Sequence, residues 1–275
     1  MNSSMVNAIN SMNAYQNKIN TISDNVANVG TVGYKSKSAV FNDLLTTTKA
    51  QPEGFGLDGR LSPLGFTQGW GSRVTGIATD FTQGSLNQTG VLTDMAIEGD
   101  ALFEVIVNDS GTKAYTRDGS FQISMNAAGQ GVLTTSEGYP VSGTLADGSS
   151  GPIIIPNGYE MQVQSDGTVL AVNNSGTITV GSINMVKAVR PDAMTAISDN
   201  LYAVSAGLNV DQVVARIIPN GDNKIAIRQG YLEQSNVDMA TQMTDLVRVQ
   251  RAYQLAARAL SSSDTMMQLA NNLRS

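Results

Sequence analysis

Four carboxylates crowd one short stretch of the chain: Asp94, Glu98, Asp100 and Glu104. Paired carboxylates are the working groups of glycoside hydrolysis, one donating a proton while the other acts as base or nucleophile. Their even spacing also places them on one face of a strand, and an exposed strand edge accounts for them equally well. Asn108-Asp109-Ser110-Gly111 is too short for a calcium loop and lacks the distal glutamate. The glycine-rich runs do not sit between a strand and a helix at phosphate-loop spacing. Arg248 and Arg251 read as a solvated or pairing helix face, and Tyr34-Lys35 as either a docking point or a helix-ending cation. No catalytic, cofactor-binding or metal residue is assigned, and no enzyme activity or cofactor is expected.

Composition closes further routes. The 275 residues include no cysteine and no histidine, which removes disulfides, thiol nucleophiles, Cys/His zinc sites and histidine-based triads together. A net charge of −6, with no basic run, is unsuited to a phosphate backbone, so no nucleic-acid partner is expected. No stretch approaches the roughly 18 apolar residues that a membrane span needs. Met1-Asn2-Ser3-Ser4 lacks the basic and apolar regions of a cleaved secretory signal. The chain is therefore expected to stay in the cytoplasm or to leave by a route needing no such signal.

Two helices must position whatever the chain presents. From Val237 onward there is neither proline nor glycine. Met239, Met243, Leu246, Val249, Tyr253, Ala256, Leu260, Met267, Ala270 and Leu273 recur at helical steps there. They share one face of a helix roughly ten turns long. Ser235 or Asn236 can supply its N-cap, and Asp238 and Arg274 suit the dipole at its two ends. At the other end of the chain Met5, Ile9, Met12, Tyr15, Ile19, Ile22, Val26 and Val29 step by three or four, predicting a helix from about Ser4 to Asn28. Its opposite face carries Asn7, Asn10, Asn13, Asn17 and Asn20, with only Lys18 and Asp24 charged before Thr31. An uncharged amide stripe fits a crowded protein interior better than solvent, where glutamate and lysine are the better helix formers. Methionines cluster in both terminal segments. They are ordinary core filler, and they also suit a surface that meets several slightly different neighbours.

Between the helices the pattern changes. From Lys35 to about Asp80 periodicity is lost, apart from an apolar patch at Phe41, Leu44 and Leu45 and an extended run over Arg73–Phe81. From about Val91 to Gln229 short β runs alternate with turn sequences such as Arg117-Asp118-Gly119, Pro156-Asn157-Gly158 and Ser165-Asp166-Gly167. This spacing predicts an antiparallel sandwich or barrel-like domain. The fold class is α+β, with long N- and C-terminal helices paired as a coiled-coil-like core and an antiparallel β domain inserted between them. The expected divisions are an N-terminal assembly helix over 1–34 and an extended linker or rod-type loop over 35–90. A β-rich outer domain over 91–229 and a C-terminal assembly helix over 230–275 follow.

Several motifs resemble those of one family. Asn25-Val26-Ala27-Asn28-Val29-Gly30-Thr31-Val32-Gly33-Tyr34-Lys35 is similar to the N-terminal signature of the rod/hook class of bacterial flagellar axial proteins, with Gly30 replacing an asparagine. Asp94-Met95-Ala96-Ile97-Glu98-Gly99-Asp100-Ala101-Leu102-Phe103 resembles the class's central run, departing at Ala101 and Leu102. Tyr115-Thr116-Arg117-Asp118-Gly119-Ser120-Phe121 and Gly138-Tyr139-Pro140-Val141 match closely. Gly230-Tyr231-Leu232-Glu233-Gln234-Ser235-Asn236-Val237-Asp238 and Gln250-Arg251-Ala252-Tyr253 complete the pattern. Phe81–Gly90 makes the chain most similar to distal-rod members. In those members the stretch around Thr46 to Gln68 corresponds to a segment thought to keep the tube straight.

The resemblance implies a subunit that stacks helically into a hollow shaft passing torque to the hook. The terminal helices would line the inside and the β domain would lie outside. It implies copies of the chain, other rod and hook proteins and basal-body ring proteins as partners. It places the chain in the basal body, within the cell envelope and periplasm, after export by the flagellar type III route without a cleaved signal. The implied signature residues are Asn28, Gly33, Tyr34, Lys35, Ser235, Asn236, Val237, Gln250, Arg251 and Tyr253. The expected assembly interface is Met5, Ile9, Met12, Ile19, Ile22, Val26, Met239, Met243, Leu246, Val249, Tyr253, Ala256, Leu260 and Met267. Proximal rod or hook-type subunits are the alternative within the class. Outside it stand a monomeric β-rich binding module with its helices closed into a hairpin, and a glycan-cleaving enzyme using Asp94, Glu98 or Asp100.

Overall fold

The computed structural model describes residues 2–44, 47–49, 66–107, 112–126, 129–174, 176–198, 200–205, 207–217 and 225–273. Its helices are α1 (Asn2–Ala27), the single turn α2 (Val210–Val213) and α3 (Met239–Asn272). The other described residues are strand, turn and a short 3-10 helix at Pro191–Ala193, so the chain is α+β with a helix at each end and a β-rich middle.

Two compact units form. One, the terminal unit, gathers Met1–Val26, Lys37–Ala78 and Met239–Ser275; the other, the β unit, gathers Ala27–Ser36 and Thr79–Asp238. In the terminal unit, Lys37–Asp43 lies beside Ser72–Thr79, and Thr47–Lys49 pairs with Phe66–Gln68. Residues 45–46 and 50–65, most of the stretch that resembles the rod-specific segment, lie outside the described residues.

The β unit is built on antiparallel sheets. Six strands run in the order Met194–Ser198, Leu201–Val204, Lys113–Thr116, Leu102–Ile106, Met185–Ala188 and Val214–Ile217. Five more run Ser150–Pro152, Ser142–Leu145, Gly176–Ile183, Thr168–Asn173 and Glu160–Val163. Alternation along Leu102–Ile106 explains how the six-stranded sheet is covered on both faces. Phe103 and Val105 enter the main core, while Leu102 enters a second cluster with Tyr115, Val186 and Val214. Phe103 meets Phe121 edge to face at 5.1 Å between ring centres, an arrangement worth about 1 kcal/mol beyond its burial.

Several sequence expectations need correction. Within the span of β runs expected from about Val91 to Gln229, Val210–Val213 closes as α2, Val214 donating to the Val210 carbonyl, and strand begins only at Val214. Met95–Glu98 is an unanticipated strand. Both of its faces are buried at Met95, Ala96 and Ile97, so it shows no alternation. Ser142–Leu145 was also missed, because small polar residues conceal a strand whose Ser142 is buried. Arg274, expected at the end of α3, lies outside the described residues, as does the turn Asn108–Gly111.

Candidate assembly site

The carboxylates that could have done chemistry are dispersed. Glu104 is buried, takes hydrogen bonds from Ser142 Oγ at 2.7 Å and Asn184 Nδ2 at 3.3 Å, and pairs with Lys113 at 3.0 Å. Asp94 is also buried and accepts from Thr89 at 2.6 Å; Glu98 pairs with Arg228 at 2.7 Å, and Asp100 lies 3.7 Å from Lys187. The exposed-edge reading therefore fails for Asp94 and Glu104, which are structural groups inside the fold.

What the signature residues build instead is a charged knot within the β unit. Glu233 stands at its centre. Its Oε1 receives Lys35 Nζ at 2.8 Å and the Gly84 amide at 2.8 Å, while Oε2 receives Arg117 Nε. Arg117 spends its other donors on the carbonyls of Ala101, Ile97 and Gly99. Lys35 also donates to the Thr82 carbonyl at 2.7 Å. Lys35 and Glu233 are each about 1 % exposed and Arg117 is 3 % exposed, so two cations share one anion out of water. Burial pulls the Lys35 ammonium below the usual lysine range, against the raising effect of Glu233. Such an arrangement survives only because nearly every donor has an acceptor.

Local geometry delivers each partner. The Gly33 amide donates to the Glu233 carbonyl at 2.8 Å, and its φ of +68° turns the chain after α1. A Cβ at Gly33 would stand 2.6 Å from the Asp118 nitrogen, so glycine alone admits the close passage beside Arg117. Tyr34 is buried next to it. Thr31 closes the preceding turn on Asn28, through both backbone and side chain at 3.1 Å. On the other side, Ser235 Oγ accepts from the Val237 amide at 3.2 Å, and Val237 is buried. The Asn236 side chain holds Ser36, Asp80 and Thr82. The N-cap expected from Ser235 or Asn236 is thus corrected: α3 begins at Met239, and both side chains are engaged before it.

In the terminal unit, side-chain hydrogen bonds join α1 and α3. Asn25 Nδ2 donates to Gln242 Oε1 at 3.2 Å, and Ser4 Oγ lies 3.3 Å from Ser263 Oγ. Moving up α1 thus means moving down α3. The covered residues of α3 include Gln242, Leu246, Val249, Tyr253, Ala256, Leu260, Ser263 and Met267, in steps alternating four and three. Ala8, Met12, Tyr15, Ile19, Ile22 and Val26 give the same alternation on α1. Met5 is half-buried, whereas Ile9, Met239 and Met243 are exposed. So are Val247, Leu255, Met266, Leu269 and Leu273, an exposed apolar row. Of these the sequence reading named only Leu273, and placed it on the face shared by Leu246 and Val249, whereas it stands 89 % exposed. Gln250 and Arg251 are exposed beside the row. Asn7 and Asn10 of the amide stripe donate to the carbonyls of Gly69 and Trp70 at 3.1 and 2.8 Å, while Asn13, Asn17 and Asn20 remain exposed.

Fold and site together define a structural chain: paired terminal helices in one unit and a buried ionic knot in the other. Comparison with known proteins agrees. Residues 5–35 match the model of the flagella basal body rod protein family, 96–180 that of the flagellar hook protein FlgE/F/G D1 domain, and 228–273 that of the flagellar basal body rod FlgEFG protein C-terminal region. The flagellar basal-body rod protein FlgG of Borreliella burgdorferi is 35 % identical, over 97 % of both chains. FlgG of Caulobacter vibrioides is 32 % identical over 98 % of both. The flagellar hook-basal body complex protein FlhP of Bacillus subtilis is 30 % identical, over 98 % of this chain and 99 % of its own. The chain belongs to the flagellar basal-body rod protein family. It is a structural component of the flagellum and not an enzyme.

Proposed function

We propose that this chain is the distal-rod subunit that polymerises helically into a hollow drive shaft, with α1 and α3 pairing as an antiparallel coiled coil. The uncovered apolar row on α3 carries the reading. Alternating steps of four and three are the spacing of a coiled-coil seam, and both helices have it. That seam leaves Val247, Leu255, Met266 and Leu269 in water. Large apolar side chains left in water along one face of a helix suit a contact with another copy. A hairpin whose helices satisfy only each other, as in a monomeric binding module, has no use for it. Head-to-tail contacts between copies that do not close into a ring extend into a filament.

On this reading Met5, Ile9, Met239 and Met243 join the exposed row at contacts between copies, and the β unit lies outside the shaft. Other rod and hook proteins continue the axis, and basal-body ring proteins surround it. The subunit reaches the periplasmic part of the basal body by the flagellar type III route. No helix among the described residues is long and apolar enough to cross a membrane. Electron microscopy of the purified full-length chain after concentration tests the proposal. Straight hollow tubes are the expected product, and dispersed monomers at every concentration would overturn it.

A further inference from the structure

The chain leaves the β unit after Ser36, re-enters at Thr79 and leaves again after Asp238. One side chain ties these passages together. Asn236 Oδ1 accepts from the Ser36 amide at 2.8 Å. Its Nδ2 donates to the Asp80 carbonyl at 2.9 Å, the Thr82 carbonyl at 3.1 Å and Thr82 Oγ1 at 3.0 Å. The Asp80 amide in turn donates to the Ser36 carbonyl at 2.8 Å. In the terminal unit Asn25 has the corresponding role. Its Oδ1 accepts from the Lys37 amide at 2.8 Å, and its Nδ2 donates to the Lys37 carbonyl at 2.8 Å and to Gln242 on α3 at 3.2 Å. Ser36 and Lys37 are consecutive in the chain, so two asparagines hold neighbouring residues, each within its own unit.

An uncharged amide is the group that suits this task. It offers one acceptor and two donors in a fixed plane, which matches the mixture of backbone N–H and C=O groups here. Alanine would leave the Ser36 amide without its acceptor, and a carboxylate would lose both donors. The positions matter as much as the chemistry. Asn25 lies in the last turn of α1, and Asn236 stands three residues before Met239, where α3 starts.

We propose that Asn25 and Asn236 are positioning residues for assembly. They fix the backbone where α1 ends and α3 begins, so that the two helices start in a set register before any contact with another copy. The inference rests on the rod reading only for what the register serves.

The absence of cysteine from the chain allows a clean reporter. Ser4→Cys and Ser263→Cys, introduced together in the full-length chain, place thiols where the two hydroxyls now lie 3.3 Å apart. Disulfide formation in the dilute monomer then reads the register, and the critical concentration for polymerisation reads its use. With Asn236→Ala or Asn25→Ala, disulfide formation is expected to slow and the critical concentration to rise, each by about tenfold. Thermal unfolding of the β unit should stay within a few degrees of the parent. The double variant should do little more than either single one, because both release the same register. Unchanged cross-linking in both variants would overturn the proposal, as would a loss of assembly that merely follows loss of β-unit stability. A parent chain that cross-links normally but never polymerises would sink the rod reading instead, leaving the cross-linking result to decide the positioning role.

Discussion

Lys35 and Glu233, separated by 198 positions, meet at 2.8 Å with about 1 % of either side chain exposed. Removing one member of a buried pair leaves a charge without compensation, at a cost of about 3–5 kcal/mol. Glu233→Gln strands two cations, Lys35 and Arg117, and should lower the stability of the β unit by that amount. Replacing both Lys35→Met and Glu233→Gln should cost less than the sum of the single changes, because only Arg117 is then unpaired. Urea unfolding of the four proteins at neutral pH measures this. Additive losses, or a loss under about 1 kcal/mol for Glu233→Gln, would contradict the arrangement.

A backbone passage beside the knot gives a second prediction. A Cβ at Gly84 would stand 2.1 Å from the Gln234 carbonyl oxygen, and backbone on both sides leaves little freedom to yield. Gly84→Ala should therefore destabilise the β unit by about 1–3 kcal/mol, the usual range for overpacking. A neutral effect in the same unfolding measurement would mean that these segments part readily.

Alkaline pH supplies a third. Burial pushes the phenols of Tyr115 and Tyr202 up to about 12, with the Glu104 charge adding to the shift at Tyr115. An unfolded tyrosine loses its proton near 10, so between about 10 and 12 the folded state holds protons that the unfolded state has released. Stability must fall as pH rises through that window, by on the order of 2 kcal/mol per tyrosine. Lys35, lowered by burial, contributes the opposite slope, but only below the ordinary lysine value of 10.5. Tyr202→Phe should flatten the fall above pH 10. An unchanged profile would remove Tyr202 from the account.

The two faces of α3 should separate by mutation. Val249 is buried on the seam, while Leu255 stands 64 % exposed on the uncovered row. Val249→Asp should weaken the association of α1 with α3 by on the order of 3 kcal/mol, visible as lost helical circular dichroism in the monomer. Leu255→Asp should leave that signal intact and block polymerisation. Equal effects of the two changes on the monomer would mean that the faces are not distinct.

The helices were legible because steps of three and four survive in any surrounding. Met12, Ile22, Leu246 and Val249 were readable from spacing alone. Strands between turn sequences were legible for the same local reason, and Met95–Glu98 was not, because burial on both faces erases alternation. Glu233 lay hidden in a different way. Nothing near it in sequence announces that its partners are Lys35 and Arg117, and the charge count of a segment says nothing about pairing across 198 positions. Asn236 was read as a helix cap because local bonding is the usual habit of asparagine before a helix. Backbone brought from residues 36 and 80 to 82 took the amide instead.

On the rod reading the terminal helices are shared between copies, and one experiment tests this directly. Sedimentation velocity and far-UV circular dichroism should be followed together on the full-length chain over a concentration series. The prediction is a small species at low concentration whose helical signal already reports the α1–α3 pair, with large particles forming from it as concentration rises, since the exposed apolar row on α3 needs a neighbour to cover it. A chain that stays monomeric at every concentration would contradict this, for α1 and α3 would then need no other copy.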